Sequence, residues 1–141
     1  MSETQAPATG AKPGKVQAIA IMTLIDGIAS ILGAFFWVIF ILSGVIGTAG
    51  LGFPLLVCCV APIYSLVVGI MDLVFAAKLL PDPPKTNEFS KPVAIMEIVN
   101  ILSFNVLSVV TGILSLVFAN DPEVIAYFAT VPPPPQVGGA Q

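Results

Sequence analysis

The chain has neither histidine nor arginine among its 141 residues, and only 9% of the residues are charged. Histidine is the commonest general base and the commonest metal ligand, and arginine supplies the planar fork that binds carboxylates and phosphates. Because most catalytic sites need one of the two, the sequence argues against an enzyme. It also lacks a basic patch, so we expect no nucleic-acid partner.

Sulfur ligands are few. Cys58 and Cys59 are adjacent in an apolar run, where neighbours on a helix point about 100° apart, so we expect inert buried thiols rather than a disulfide or a zinc site. Met22, Met71 and Met96 each lie near an acidic residue. Methionine commonly fills gaps in apolar helices, so packing is favoured over copper binding. No cofactor and no metal centre are predicted.

Hydrophobic residues are abundant, at 57% of the chain. They form three long runs, each exceeding the roughly 20 residues that a helix needs to cross a bilayer. The sequence therefore predicts an all-α integral membrane protein with three transmembrane helices, at about residues 16–42, 55–80 and 93–119.

The remaining segments are short. Residues 1–15 are small, polar and interrupted by proline and glycine, which predicts a disordered leader before the transmembrane domain of residues 16–119. Residues 120–141 are predicted to form an interfacial turn followed by a proline-rich tail.

The third run has two interpretations. Its polar residues recur at steps of three or four through a suspected break at residues 103–105, which favours one continuous helix with one polar face. These residues are Glu97, Asn100, Ser108, Thr111 and Ser115.

The alternative is a four-segment protein, in which the last two segments form a short hairpin and the C-terminus returns to the cytoplasmic side. It is supported by a similarity between parts of the sequence, called here the internal echo. Ala20–Asp26 resembles Ala94–Asn100, and Gly69–Ala76 resembles Gly112–Ala119. The third run would then correspond to the first two with their middle deleted, as in a duplication.

All five lysines flank the predicted spans on one side. Lys12 and Lys15 precede the first span, and Lys78, Lys85 and Lys91 surround the gap between the second and third. Retained cytoplasmic loops carry an excess of basic residues, so we expect a cytoplasmic N-terminus and, with three crossings, an exterior C-terminus. The compact chain without appended domains favours a bacterial plasma membrane.

Three carboxylic acids, Asp26, Asp72 and Glu97, lie within the spans, one in each, and at similar depth from the lysine-bearing ends. Asn100 shares the helical face of Glu97. Intramembrane acids are costly and usually face the bundle interior, so the cluster could bind a cation or relay protons. The competing interpretation, which we favour at this point, is a set of interhelical hydrogen bonds, with Lys78 and Lys91 partly neutralising the acids.

Small residues recur at four-residue spacing in all three spans. Such pairs let helix backbones approach closely in lipid, and three helices would not use every such face internally. The candidate helix-packing residues are Ala29, Gly33, Ser65, Gly69, Ser108, Gly112, Ser115 and Ala119.

Together these features favour a small structural or accessory subunit of a membrane assembly or homo-oligomer. Its partners would be the lipid bilayer and other membrane-protein chains or further copies of itself. Two alternatives stay open. One is a small ion- or proton-conducting protein that uses the intramembrane carboxylates, and the other is a protein that organises lipid.

Overall fold

The computed structural model describes residues 11–47 and 55–132, with side chains described for 11–44 and 60–132. Most of these residues are helical, in α1 (Gly14–Gly47), α2 (Leu55–Leu79), α3 (Lys91–Val99), a 3₁₀ turn (Asn100–Ser103), α4 (Val106–Ala119) and α5 (Pro122–Thr130). A loop of residues 80–90 joins α2 to α3. The cysteine side chains, residues 48–54 and the predicted tail from residue 133 lie outside the described residues.

Two helices are long and apolar enough to cross a membrane, over Gly14–Gly44 and Val60–Leu79. A third span is possible by composition only if α4 and α5, which are bent by 73°, are counted together. Large apolar side chains point outward along these helices; Phe36, for example, is 78% exposed. Length, hydropathy and outward-facing apolar residues agree with an all-α membrane protein.

Helices α1 and α2 pack closely because two glycines face each other. A Cβ atom at Gly69 would lie 2.8 Å from the backbone oxygen of Gly27, which is closer than real Cβ contacts. Without side chains at the crossing, the two backbones gain van der Waals contact that lipid cannot replace. The four-residue spacing of Ser65 and Gly69 is thus used inside the chain.

The prediction of one continuous third helix is wrong. After α3, the chain passes through the 3₁₀ turn and reaches Phe104, whose φ of 59° is left-handed. Asn105 then caps a new helix by accepting a hydrogen bond from the Ser108 backbone N–H at 3.3 Å. A Cβ atom at Gly112 would lie 2.6 Å from the oxygen of Ala94, so α4 folds back against α3. The hairpin alternative describes the structure.

The periodic polar stripe misled the prediction for a physical reason. Two antiparallel helices can both turn their polar faces to one interior, so a stripe keeps its phase across a hairpin as well as along one helix. All five stripe residues are indeed buried. The decisive local signal is Asn105, since asparagine is a strong N-cap and favours a helix start.

The hairpin α3–α4 resembles a shortened copy of the hairpin α1–α2. When the two are aligned by the sequence echo, most buried positions coincide, although the buried Phe75 and Ala76 align with the half-buried Phe118 and Ala119. Both hairpins start from the same end of the bundle. This pattern fits a parallel internal repeat. The coinciding pairs are Thr23 with Glu97, Asp26 with Asn100, Ser65 with Ser108, Gly69 with Gly112, and Asp72 with Ser115.

The start of α1 and the ends of α2 and α4 lie at one end of the bundle, called here the lysine end. Lys12 Nζ donates to the carbonyl oxygens of Leu79 and Leu80 at the end of α2, where a cation also complements the helix dipole. Lys15 Nζ donates to Asp121 Oδ2 at 2.5 Å and lies 3.7 Å from Glu123. Asp121 and Glu123, which follow the third predicted span, therefore lie at the same end of the bundle as the start of α1, and not at the opposite end as three straight crossings predict.

Helix α5 covers the lysine end through an apolar contact. Its buried residues Val124 and Phe128 belong to a core that includes residues of α1, α2 and α3. We call this core the apolar plug; its buried members are Val16, Ile19, Ala20, Phe75, Leu79, Val93, Val124 and Phe128.

Gly112→Ala is expected to destabilise the hairpin by about 1–3 kcal/mol, because the added methyl would overlap a backbone oxygen that cannot move alone. The measurement is thermal or denaturant unfolding in detergent. Gly33→Ala is the matched control, since nothing lies within 4 Å of its Cβ position, and it should be neutral or slightly stabilising. Equal stability of the two variants would contradict the close packing of α3 on α4.

Asp121→Asn is expected to loosen α5 without unfolding it. Asparagine keeps the N-cap to the Glu123 backbone N–H but removes the charge that faces Lys15. Hydrogen exchange of α5 amides should therefore become faster at neutral pH.

The wild-type protein should show the same loosening only in acid. The hydrogen bond from Lys15 holds the pKa of Asp121 below its ordinary value of 3.8. A carboxyl whose pKa is lowered by folding stabilises above its ordinary pKa and loses that contribution as pH falls through the lowered value. Loosening of α5 already at neutral pH in the wild type would contradict the ion pair.

Candidate functional site

Asp26, Asp72 and Glu97 meet at the centre of the bundle, and we call them the carboxyl triad. They come from α1, α2 and α3, and one carboxylate oxygen from each lies within 4.8 Å of the others. Asp26 and Asp72 are 0% exposed and Glu97 is 1% exposed.

Glycines make room for these acids. A Cβ atom at Gly27 would lie 3.0 Å from the Asp72 Cβ, and one at Gly112 would lie 3.0 Å from the Glu97 Cβ. Asp72 and Glu97 therefore each sit opposite a position without a side chain on a neighbouring helix. The glycines that allow close helix packing also bring the carboxyl groups into one small volume.

The carboxyl triad has few partners. Ser108 Oγ donates to Asp26 Oδ1 at 2.9 Å. The other Asp26 oxygen and both oxygens of Asp72 and Glu97 are buried without a hydrogen-bond donor from outside the triad. Within the triad, Asp72 is in hydrogen-bond reach of both Asp26 and Glu97, so a proton on one acid can be shared with its neighbour. Among the described residues the ion pairs are those of Lys15, and the exposed Lys78 and Lys91 do not neutralise the triad.

A polar network lies on the side of the triad away from the lysine end; its members are Ser30, Ser65, Asn100, Asn105 and Ser108. Asn100 is its hub: its Nδ2 donates to Ser108 Oγ at 3.0 Å and to Ser30 Oγ at 3.3 Å, and its Oδ1 accepts from Ser65 Oγ at 3.2 Å. Asn105 Nδ2 donates to Ser30 Oγ at 2.9 Å. Ser108, which binds both Asn100 and Asp26, connects this network to the triad.

The network reaches a cavity of about 420 Å³ at the apex of the hairpin, away from the lysine end. Ser65 and Asn105 belong to both. Trp37 fixes the apex, since its Nε1 donates to the backbone oxygen of Ser103 at 3.2 Å. We call this space the apex cavity; it is lined by Ala29, Gly33, Phe36, Trp37, Phe40, Ser65, Ser103, Phe104 and Asn105.

The two sides of the triad therefore differ. Toward the apex, hydroxyl and amide groups lead from the cavity to Asp26 through Ser65, Asn100 and Ser108. Toward the lysine end lies the apolar plug, which α5 completes. A small cation could be stabilised along the first route by oxygen ligands, whereas the second side has the buried hydroxyls of Thr23 and Ser115 and, beyond them, the apolar plug.

Charge balance decides what the triad can do. An ionised carboxylate buried in an apolar interior costs roughly several kcal/mol even after relaxation, and three unpaired charges at this separation would also repel each other. The triad must therefore hold compensating positive charge, as bound protons or as a cation. Unpaired oxygens that converge on one point are suited to either role.

The candidate helix-packing residues have different surroundings in the structure. Gly69 and Gly112 form the close contacts inside the two hairpins, Ser65 and Ser108 belong to the polar network, and Ser115 is buried. Ala119 is half-buried at the end of α4, and Ala29 and Gly33 line the apex cavity. Most of the small-residue faces are thus occupied by the chain itself.

Sequence reasoning missed the contributions of Ser103 and Asn105. Both residues lie at the break that was interpreted as part of a continuous helix, so neither was assigned to a site. A serine and an asparagine flanking one residue, between two apolar segments, are typical of a turn and a new N-cap. That signal would have located the apex of the hairpin and two of the residues that line the cavity.

No family model, curated protein or solved structure matches this chain. The function is therefore argued from the geometry and chemistry of the site.

Asn100→Ala is expected to lower the free energy of unfolding by about 1–3 kcal/mol, because it leaves buried hydroxyls of the polar network without their partner. Denaturant unfolding in detergent measures the effect. Asn120→Ala is the control, since the exposed Asn120 donates only to the Leu116 carbonyl oxygen. If both variants lost equally little stability, Asn100 would not be the hub of the network.

Proposed function

We propose that the protein is a small ion-handling membrane protein, in which the carboxyl triad takes up a proton or a metal cation within the bilayer and passes it across. One observation carries the proposal: five of the six oxygens of the triad are buried without a hydrogen-bond donor from any residue outside the triad. A purely structural cluster would be expected to satisfy its acids with donors or lysines, since unpaired buried polar groups lower stability.

The unequal surroundings of the triad support transport over simple storage. A polar route joins the triad to the apex cavity, and the apolar plug separates it from the lysine end. One buried site with access from one side is what a carrier presents in one of its two states. Helix α5 is held by the partly exposed ion pair between Lys15 and Asp121. Movement of α5 would open the site toward the lysine end.

We propose a topology in which α1 and α2 cross the membrane and the hairpin α3–α4 enters and leaves from the lysine end. Each arm of this hairpin is about 20 Å long, which is shorter than the hydrocarbon core of roughly 30 Å. With basic residues at the cytoplasmic face, the N-terminus and α5 would both be cytoplasmic. A bacterial plasma membrane remains our proposal for the location.

The test is ion flux into liposomes that contain the purified protein, with an internal pH dye or an internal calcium dye. We expect an imposed gradient to drive flux of one of the two ions, and Asp72→Asn or Glu97→Gln to reduce it to near the level of protein-free liposomes. Asparagine and glutamine side chains do not ionise, so at these positions the variants cannot bind and release a proton or a cation.

Glu88→Gln is the control, because Glu88 is exposed in the loop before α3 and lies outside the triad. Its flux should equal that of the wild type. Wild-type flux no greater than that of protein-free liposomes, for both ions, would overturn the transport proposal.

The accessory-subunit hypothesis remains as a second candidate. Ala29 and Gly33 support it, since they form a small-residue pair on α1 and the Cβ position of Gly33 has no neighbour within 4 Å. A helix from another chain would fit against such a pair. In that case the isolated protein would carry no flux, and it would copurify from gentle detergent with a companion in fixed stoichiometry.

A further inference from the structure

We infer that the carboxyl triad, together with the Ser108 hydroxyl, is a binding site for one hard divalent cation of the calcium type. This inference rests on the proposed function and names the ion. Asp72 and Glu97 are at least nine-tenths buried, their four oxygens have no hydrogen-bond partner outside the triad, and both converge with Asp26 on one point.

The geometry of the site suits calcium. Because the three ligand atoms lie within 4.8 Å of one another, a point no more than about 2.8 Å from all three exists, and calcium–oxygen distances of about 2.3–2.6 Å fall within that limit. Calcium accepts an irregular set of carboxylate oxygens, such as three side chains fixed on packed helices present. Magnesium demands near-ideal octahedral geometry and gives up its waters reluctantly, so we expect it to bind more weakly.

The ligand atoms also select a hard ion. The triad offers only carboxylate oxygens, and the neighbouring side chain that donates to it is the hydroxyl of Ser108. Zinc and copper prefer nitrogen and sulfur ligands, and the chain has no histidine. One oxygen from each acid converges on the site, and the Ser108 oxygen adjoins them through its hydrogen bond to Asp26; second carboxylate oxygens would supply the further ligands that calcium takes.

Charge favours a divalent ion over a monovalent one. Three carboxylates and one divalent cation leave a single negative charge, which one retained proton neutralises. A monovalent cation would leave two charges and need two retained protons in the same small volume. Binding of the divalent ion to a triad that is neutral beforehand must release protons, because its oxygens must be ionised to coordinate the metal.

The ion would arrive from the apex cavity. Ser65 and Asn105 line this cavity, and the oxygen atoms of Asn100 and Ser108 continue the route to Asp26. Oxygen ligands along the route replace water as the ion loses its hydration shell. The apolar plug offers no such ligands at the lysine end.

The test is calorimetric titration of the purified full-length protein in detergent with CaCl₂ and, separately, with MgCl₂. We expect one calcium site per chain, weaker magnesium binding, and a heat that varies with the ionisation enthalpy of the buffer, since protons are released. Calcium should also raise the unfolding temperature of the wild type, a readout that needs no variant.

Asp72→Asn and Glu97→Gln should each weaken calcium binding at least about tenfold, while Glu88→Gln leaves it unchanged. Helical circular dichroism and a single gel-filtration peak establish that each variant is folded. Absence of calcium binding at millimolar concentration, or equal affinity for magnesium, would overturn the inference. If calcium fails to bind but protons still cross liposomes, the proposed function stands with the proton as its ion. If calcium does not bind and protons do not cross the liposome membrane, the calcium site and the proposed function are both wrong.

Discussion

The structure depends on one constraint: three carboxyl groups are enclosed in a bundle whose outer surface is apolar. Asp26, Asp72 and Glu97 are removed from water, and five of their six oxygens have no donor from outside the triad. Water cannot compensate them, and no lysine of the described chain does so. Positive charge must therefore accompany the acids into the interior, as protons or as a metal ion. The helix packing, the polar network and the unequal access to the site are all understood as ways of holding that charge.

The packing of the helices serves the same purpose. Gly27 and Gly112 lie directly against the acids of neighbouring helices, so that the absence of a side chain creates the space in which the carboxyl groups meet. The hairpin α3–α4 brings Glu97 and Ser108 to the same centre from opposite directions. In a single long helix these two residues would lie at different depths in the membrane, because eleven residues rise about 16 Å along a helix. Folding back is what makes one compact site out of a short sequence.

Part of this structure could be read from the sequence. Hydropathy and length predict an all-helical membrane protein, and the acid in each predicted span indicates where a polar centre would form. The break at Phe104 could not be read from periodicity, because a polar stripe stays in phase through a hairpin. The internal echo and Asn105 carried the missing information, but short apolar helices resemble one another, so the echo alone decides little. The side of α5 could not be predicted at all, since it depends on the contact between Lys15 and Asp121, which are far apart in sequence.

The central claim is that the buried acids hold exchangeable positive charge, and infrared spectroscopy of their carboxyl groups tests it most directly. Purified protein labelled with ¹³C at the aspartate and glutamate carboxyl carbons would be compared at neutral pH without metal and with calcium, and then with Glu97→Gln. The account predicts a band from protonated carboxyl groups in the metal-free protein, a smaller band with calcium, and loss of the calcium response in the variant. A spectrum with only ionised carboxylates in metal-free protein, unchanged by calcium, would contradict it.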